Sequence, residues 1–273
     1  MSPSSELTGI SGTIVLVGAG KMGAAMLQGW VARGLDQANV AVIDPQPSDE
    51  LKTLDVPINP SRKINGAAAI VIAVKPQVAG DVVPKLAEMA GASTVAVSIM
   101  AGKTISFLER ALPNTAIVRA MPNTPAAIGR GITVAVGNAR VSAAQRDLAH
   151  RLLAATGKVE WVTDEKLMDA VTAVSGSGPA YVFLLAESLT RAGIAAGLPP
   201  DLAAKLARET VTGSGELLYR SPLDPATLRQ NVTSPGGTTA AALEVLMATA
   251  DGLDPLLAKA IAAAVKRSRE LAG

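Results

Sequence analysis

Glycines at positions 18, 20 and 23 spell G-x-G-x-x-G in Gly18-Ala19-Gly20-Lys21-Met22-Gly23. The spacing suits a loop that cradles a pyrophosphate. Gly18 makes the turn, Gly20 lets backbone approach the phosphates, and Gly23 lets helix and strand pack closely. The stretch from Gly18 to Met22 would sit at a helix N-terminus, which attracts negative charge. Glycine-rich turns are common, so the context carries the weight. The apolar run Ile14-Val15-Leu16-Val17 precedes the loop, and Met22, Met26, Leu27, Trp30 and Val31 follow at the spacing of one buried helix face. A purely structural strand-to-helix turn is the alternative.

Asp44 ends the run Val40–Ile43, 21 residues after Gly23. A carboxylate there would accept hydrogen bonds from the adenine ribose and repel a 2′-phosphate, favouring NADH over NADPH. The competing reading is a turn cap before Pro45, and the basic residues Lys52 and Arg62 stand further along. Two more strand ends, Val74-Lys75-Pro76-Gln77 and Ser98-Ile99-Met100-Ala101-Gly102, fall where loops line the ligand crevice of a parallel sheet. Lys75 is placed to reach the cofactor's ribose or nicotinamide side, with a solvated strand-end charge as the alternative. In Arg119-Ala120-Met121-Pro122-Asn123-Thr124-Pro125, two prolines around Asn-Thr fix a rigid turn.

The stretch Ser234-Pro235-Gly236-Gly237-Thr238-Thr239 reads as a helix start, with Ser234 as N-cap and Pro235 as the first helical residue. Gly236, Gly237 and Thr238 would then offer unshielded N–H groups beside two hydroxyls, an anion pocket without arginine that suits a small carboxylate. A capped helix start alone does not need two glycines in its first turn, where each costs about 1 kcal/mol relative to Ala. Ser175-Gly176-Ser177-Gly178-Pro179 interrupts another helical run. No pair of His with Asp or Lys accompanies these loops, so the chemistry needs little proton abstraction. Reduction of a basic imine fits: the nitrogen arrives protonated, its carbon is electrophilic, and hydride transfer needs positioning and one hydrogen-bond partner.

The elements that must position these residues change character along the chain. Strand-like runs at Ile14–Val17, Val40–Ile43, Ile70–Val74, Thr94–Ile99, Ala116–Ala120 and Ile132–Val136 alternate with helix-compatible segments, as a parallel sheet with crossover helices requires. From Asp164 onward the chain is Ala- and Leu-rich with no credible strand. The expected organisation is an N-terminal extension over 1–11, a dinucleotide-binding α/β domain over 12–162, and an all-α domain over 163–273. Tyr181–Ala196 and Asp201–Leu218 are apolar over much of their circumference, more than one small domain can bury. Part of that surface is expected to close against a second copy of the chain.

Composition bounds the rest. Of 273 residues, 49% are hydrophobic and 18% charged, which excludes intrinsic disorder. Aromatics at 2% leave little to stack on nucleic-acid bases, and a net charge of +2 argues little for polyanions, so no nucleic-acid partner is expected. With no cysteine and one histidine, His150, no metal site is expected, and His150 reads as a helix-surface side chain. MSPSSELTG lacks the features of a targeting segment and reads as a short frayed extension. Ala67–Val74 falls short of the ~20 residues a membrane span needs, so a soluble, cytoplasmic protein is expected.

Together, Gly18–Gly23, Val74–Gln77, Ser98–Gly102, Arg119–Pro125, Asp169-Ala170-Val171-Thr172, Ser175–Tyr181 and Val232–Thr239 resemble pyrroline-5-carboxylate reductases, in order and over nearly the whole chain. The resemblance implies a Rossmann-type domain followed by an all-α dimerisation domain, and NAD(P)H-dependent reduction of 1-pyrroline-5-carboxylate to L-proline, the last step of proline synthesis. It implies homodimers that in some members assemble to decamers, with a substrate loop that the partner subunit can supply. Carried over by position, Ser234, Gly236, Gly237, Thr238 and Thr239 hold the substrate carboxylate, and Thr239 also bonds the ring nitrogen. Thr172 lines the pocket near the nicotinamide, which Ser175 and Gly176 help to shape. Val74, Lys75, Pro76, Ala101 and Gly102 join Gly18, Ala19, Gly20, Lys21, Met22 and Asp44 around NADPH or NADH. One departure is Arg220-Ser221-Pro222-Leu223, where many members carry an acidic residue.

Two rivals remain at this point. A hydroxyacid or phosphogluconate-type dehydrogenase would need a Lys-x-x-x-Asn pair in the second domain, but Lys166 is followed four places on by Ala170 and Lys205 by Glu209. A dinucleotide-sensing module would explain the first domain and leave Ser234–Thr239 without a purpose.

Overall fold

The computed structural model describes residues 7–61 and 63–272; Arg62 lies outside the described residues. The chain divides into two compact units, Met1–Gly176 with Val265–Gly273 and Ser177–Ala264.

The first unit runs β1 (Ile14–Val17), α1 (Lys21–Ala32), β2 (Val40–Ile43), α2 (Asp49–Lys52), β3 (Ala69–Ile72), α3 (Ala79–Val82), β4 (Val95–Ser98), α4 (Ile105–Ala111), β5 (Ala116–Met121), β6 (Gly131–Gly137), α5 (Ala143–Ala154), β7 (Gly157–Trp161) and α6 (Met168–Val171). A five-residue π-helix, Thr172–Gly176, follows. The strands form one seven-stranded sheet in the order β2-β1-β3-β4-β5-β6-β7. The first five are mutually parallel, with Ile14 opposite both Val40 and Ala69. The expectation of a fully parallel sheet needs correction, because β6 pairs antiparallel to β5. Only the short turn Pro122–Arg130 separates those strands, too little chain for a crossover helix to return β6 in the same direction. β7, absent from the sequence reading, then pairs parallel to β6 at the sheet's edge.

Continuously apolar strands are buried here because both faces are covered. Ile14, Leu16, Val40, Val42, Val71 and Val97 pack with Met26, Leu27 and Trp30 of α1 and Leu152 and Leu153 of α5. Val15, Val17, Ile70, Ile72, Ala96 and Ile117 pack on the other face with Leu108 of α4 and Met168. The Trp30 indole is fully buried and donates its N–H to the Leu152 carbonyl at 2.8 Å, tying α1 to α5.

The part of the N-terminal extension that is described is not frayed. Leu7 and Ile10 are buried in the core, and the Leu7 N–H donates to the Arg33 carbonyl at 3.2 Å. Burying two large apolar side chains outweighs the entropy of ordering so short a segment. His150 is also more than a surface residue of α5. It is half-buried, and its Nδ1 accepts from the Trp161 indole at 3.3 Å, fastening β7 to α5.

The second unit is all helical: α7 (Gly178–Ala195), α8 (Pro200–Arg220), α9 (Pro225–Asn231), α10 (Thr238–Leu246) and the first part of α11 (Leu253–Ala272). α7 and α8 pack closely at Gly193, where a Cβ would lie 3.3 Å from that of Ala203. No residue of α7 is buried within the chain, and Phe183 is 62% exposed with Val182, Leu184 and Leu185 beside it. Apolar helix faces this extensive in water mark an interaction surface.

Candidate active site

β1 lies centrally, with β2 on one side and β3 on the other, so the chain reverses its direction across the sheet at the β1–β3 crevice. Ligands of open α/β sheets bind outside the carboxyl ends of strands at such a point. The glycine loop sits there, and its three glycines are required for three different reasons. Gly18 has φ +88°, and a Cβ on it would lie 2.9 Å from the Ala73 carbonyl and the Val74 nitrogen, so β1 and β3 could not stay so close. A Cβ on Gly23 would collide with the Gly18 carbonyl oxygen. Above Gly20 there is open space, with nothing within 4 Å of its Cβ position.

Gly20 is also the N-cap of α1, and no side chain caps that helix. Its first amides, on Lys21, Met22 and Gly23, therefore face outward beside an open cradle. This arrangement fits the pyrophosphate of a nicotinamide dinucleotide. Asp44 follows β2 and is drawn to the same loop. One carboxylate oxygen accepts from the Ala19 N–H at 2.6 Å and the other from the Gln46 N–H at 2.7 Å. Asn59 pins the Asp44 backbone from both sides, accepting from its N–H at 3.0 Å and donating to its carbonyl at 2.7 Å. Asp44 thus braces the turn beside the glycine loop.

The other expected cofactor residues fall at neighbouring strand ends. Val74 abuts Gly18, exposed Lys75 caps a single turn that begins at Pro76, and Ala101 is exposed beyond β4. Gly102 is buried instead: it has φ +75°, and a Cβ there would meet Leu271 at 3.1 Å. Its glycine is needed for packing under α11, which spacing alone does not show.

Thr172, Ser175 and Gly176 lie on the π-helix in the same unit. The Thr172 hydroxyl donates to the Met168 carbonyl at 2.7 Å, leaving its oxygen as an acceptor only. Ser175 Oγ accepts from Asn123 Nδ2 at 3.4 Å, and a Cβ on Gly176 would lie 3.3 Å from Met121 Sδ. Single-turn π-helices recur at functional sites because they re-aim side chains within a helix. Three residues before Thr172, Asp169 accepts from the Ser268 hydroxyl at 2.7 Å and lies 3.6 Å from Arg269 Nε.

In the second unit, Ser234–Thr239 takes a different local form from the one expected. α10 starts at Thr238 with Gly237 as N-cap, not at Pro235 with Ser234 as cap. Ser234-Pro235-Gly236-Gly237 forms a turn closed by the Gly237 N–H on the Ser234 carbonyl at 3.1 Å, with Gly236 at φ +69°. Pro then Gly at the two central positions is the signature of such a turn, and it prevails over Pro as a helix opener. The Gly237 amide is consumed, so the exposed helix amides are those of Thr238, Thr239 and Ala240. No side chain caps them, and the Thr239 hydroxyl has no partner among the described residues. A Cβ on Gly237 would collide with Ser234 Oγ, so this glycine lets the serine hydroxyl lie across the helix start.

Just past Arg220–Leu223, the first carboxylate is Asp224. It accepts from the Thr227 hydroxyl at 2.7 Å and N–H at 3.0 Å as the N-cap of α9. Those bonds hold its carboxyl below the ordinary value. The cap is thus fully formed at neutral pH and is lost as pH falls through the lowered value.

Sequence reasoning did not assign roles to Arg119, Glu165, Asn123 or Asp169 in this arrangement. An arginine inside the apolar strand Ala116–Met121 was the available signal. Among the described residues no three His, Cys, Asp or Glu side chains cluster as a metal site would need, and no helix is long and apolar enough to cross a membrane.

Residues 13–102 match the family described as NADP oxidoreductase, coenzyme F420-dependent, and residues 165–271 match the one described as pyrroline-5-carboxylate reductase dimerisation. A pyrroline-5-carboxylate reductase of Pseudomonas aeruginosa is 40% identical, covering 95% of this chain and 96% of its own. A solved pyrroline-5-carboxylate reductase from Coxiella burnetii superposes with a TM-score of 0.87 at 33% identity, covering 97% of this chain and all of the other. The Plasmodium falciparum pyrroline carboxylate reductase, solved with NADP bound, superposes at 0.80 with 29% identity, covering 96% of this chain and 99% of the other. With a Rossmann-type first half, a helical dimerisation half and relatives that run its full length, the chain belongs to the pyrroline-5-carboxylate reductase family.

Proposed function

We propose that this protein reduces 1-pyrroline-5-carboxylate to L-proline with NADPH or NADH, the last step of proline synthesis. The observation that carries the site assignment is the uncapped start of α10, with three outward amides and a Thr239 hydroxyl that has no partner among the described residues, in a chain that also carries the open glycine cradle at Gly20.

The bound dinucleotide supplies a hydride to the C=N carbon. The chain's own residues do the rest. Lys21, Met22 and Gly23 amides hold the pyrophosphate, with Ala19 fixed by Asp44, and Val74 to Pro76 and Ala101 border the ribose and nicotinamide side. The α10 amides and the Ser234 hydroxyl bind the substrate carboxylate, where the helix dipole favours negative charge. Thr239 accepts from the protonated ring nitrogen and fixes the orientation of the C=N bond. Thr172, its proton committed to Met168, walls the nicotinamide side. No side chain needs to remove a proton, because the product amine keeps the one the imine brought. Oxidation of NADH or NADPH on adding pyrroline-5-carboxylate, with proline as product, is the expected result. Cofactor binding without turnover would leave only a sensing role.

Asp44 bears on cofactor choice. Replacing it with serine is expected to shift the NADH-to-NADPH ratio of kcat/KM several-fold toward NADPH, because the charge facing a 2′-phosphate is removed. An unchanged ratio would leave Asp44 as a turn brace alone.

The helical half, 163–273 in this reading, is the dimerisation domain, and the exposed apolar face of α7 is its contact surface. A cytoplasmic homodimer is the form we propose. Phe183→Glu should lower the sedimenting mass or drive aggregation, and the parent should sediment as a dimer or as the decamer some relatives form. A stable parent monomer at micromolar concentration would contradict it.

A further inference from the structure

Arg119 is the one charged residue of β5 and is only 3% exposed. Its Nη1 donates to Glu165 Oε1 at 2.8 Å, and the same oxygen accepts from the Ile105 N–H at 2.8 Å. Its Nε and Nη2 are buried with no acceptor among the described residues. A desolvated guanidinium with two unanswered nitrogens is a poor stabiliser, since an apolar side chain of equal length would fill the space without that penalty. Such a violation of packing logic is expected where a residue serves something other than stability.

What the pair touches indicates what it serves. Glu165 opens the segment that continues through α6 into the π-helix bearing Thr172 and Ser175. Alternate residues of a strand share one face, so Arg119, Met121 and Asn123 point the same way from β5 and its extension. Each holds that segment: Arg119 through Glu165, Met121 against Gly176, and Asn123 through Ser175. The segment is gripped at both ends from one strand, with Thr172 between the grips.

We propose that Arg119 is a positioning residue for imine reduction. It acts through Glu165, fixing the 165–176 segment and so the placement of Thr172. This rests on the reading that Thr172 walls the nicotinamide side. Small displacements of a positioning group, about 1 Å, can cost on the order of a hundredfold in rate.

The test compares Arg119→Met, Glu165→Gln and Thr172→Val in the full-length protein, measuring kcat and KM for pyrroline-5-carboxylate at saturating NADPH, NADPH dissociation by fluorescence titration, and Tm. Arg119→Met and Glu165→Gln should each lower kcat by roughly tenfold to a hundredfold, with NADPH dissociation within about twofold of the parent and folding retained. The double variant should lose no more than either single one, because each removes the charge assistance of the same Arg119–Glu165 linkage, Gln keeping only a neutral acceptor. Parental kcat in both single variants, with Thr172→Val impaired, would overturn the proposal and leave Thr172 in place. Parental kcat/KM in Thr172→Val would instead overturn the reading of Thr172 and the proposal with it. Should Arg119→Met not fold, Glu165→Gln decides alone by the same criterion.

Discussion

Thr239→Ala is expected to lower kcat/KM for pyrroline-5-carboxylate by about tenfold to a hundredfold while leaving NADPH dissociation nearly unchanged. Thr239 lies in the first turn of α10 and its hydroxyl has no partner among the described residues, so its removal strands no neighbour there and costs the fold little. What is lost is a hydrogen bond to a charged nitrogen, worth about 1.5–3 kcal/mol, which corresponds to the stated range. The α10 amides survive the substitution, so carboxylate binding persists and kcat should fall along with the weaker binding. Steady-state kinetics beside a cofactor titration separates the outcomes. An unaltered kcat/KM would refute the role given to this hydroxyl.

The glycine loop offers the second large effect, and here two similar substitutions should behave in opposite ways. Gly18→Ala places a Cβ 2.9 Å from the backbone of Ala73 and Val74 at a φ of +88°. The left-handed backbone costs roughly 1–2 kcal/mol and the clash with a rigid strand adds more, so a loss of about 3 kcal/mol or greater is expected. Thermal melting should register it as a drop on the order of 10 °C. Gly20→Ala has φ −63° and open space before its Cβ, so Tm should not fall. The new methyl group stands between the α1 amides and any phosphate they hold. Weakening even one charge-assisted hydrogen bond implies affinity for NADPH lower by about tenfold or more. A Gly20→Ala protein of parental affinity would mean that the cradle is not where the pyrophosphate sits.

How far the sequence could be read depended on which physical signal each element carries. β1 to β6 were legible because strands covered on both faces are unbroken apolar runs. β7 was not: Gly157–Trp161 alternates half-buried and exposed residues, with Lys158 and Glu160 facing water, as an edge strand allows. The reversal of β6 depends on the length of a turn, and composition does not report strand direction. Ser234–Gly237 illustrates two local rules in competition. Proline as a helix opener and Pro-Gly as a turn centre apply to the same residues, and the backbone bond from Gly237 to Ser234 settles it for the turn. The glycine fingerprint was legible residue by residue, since each glycine's reason is local to its own Cβ. Arg119 and Glu165 were beyond reach, because 46 residues separate them and only the folded sheet brings them together.

Ser268 and Arg269 hold Asp169 from the far end of the chain, and residues 265–272 complete the first unit. During synthesis, the stretch from β1 to the π-helix leaves the ribosome long before those residues exist. The nascent nucleotide-binding half must therefore wait, with Asp169 and Gly102 uncovered, until residues 265–272 have left the ribosome and are free to dock. Chains cut before Val265 would keep the sheet intact and leave the Thr172 segment without this clasp.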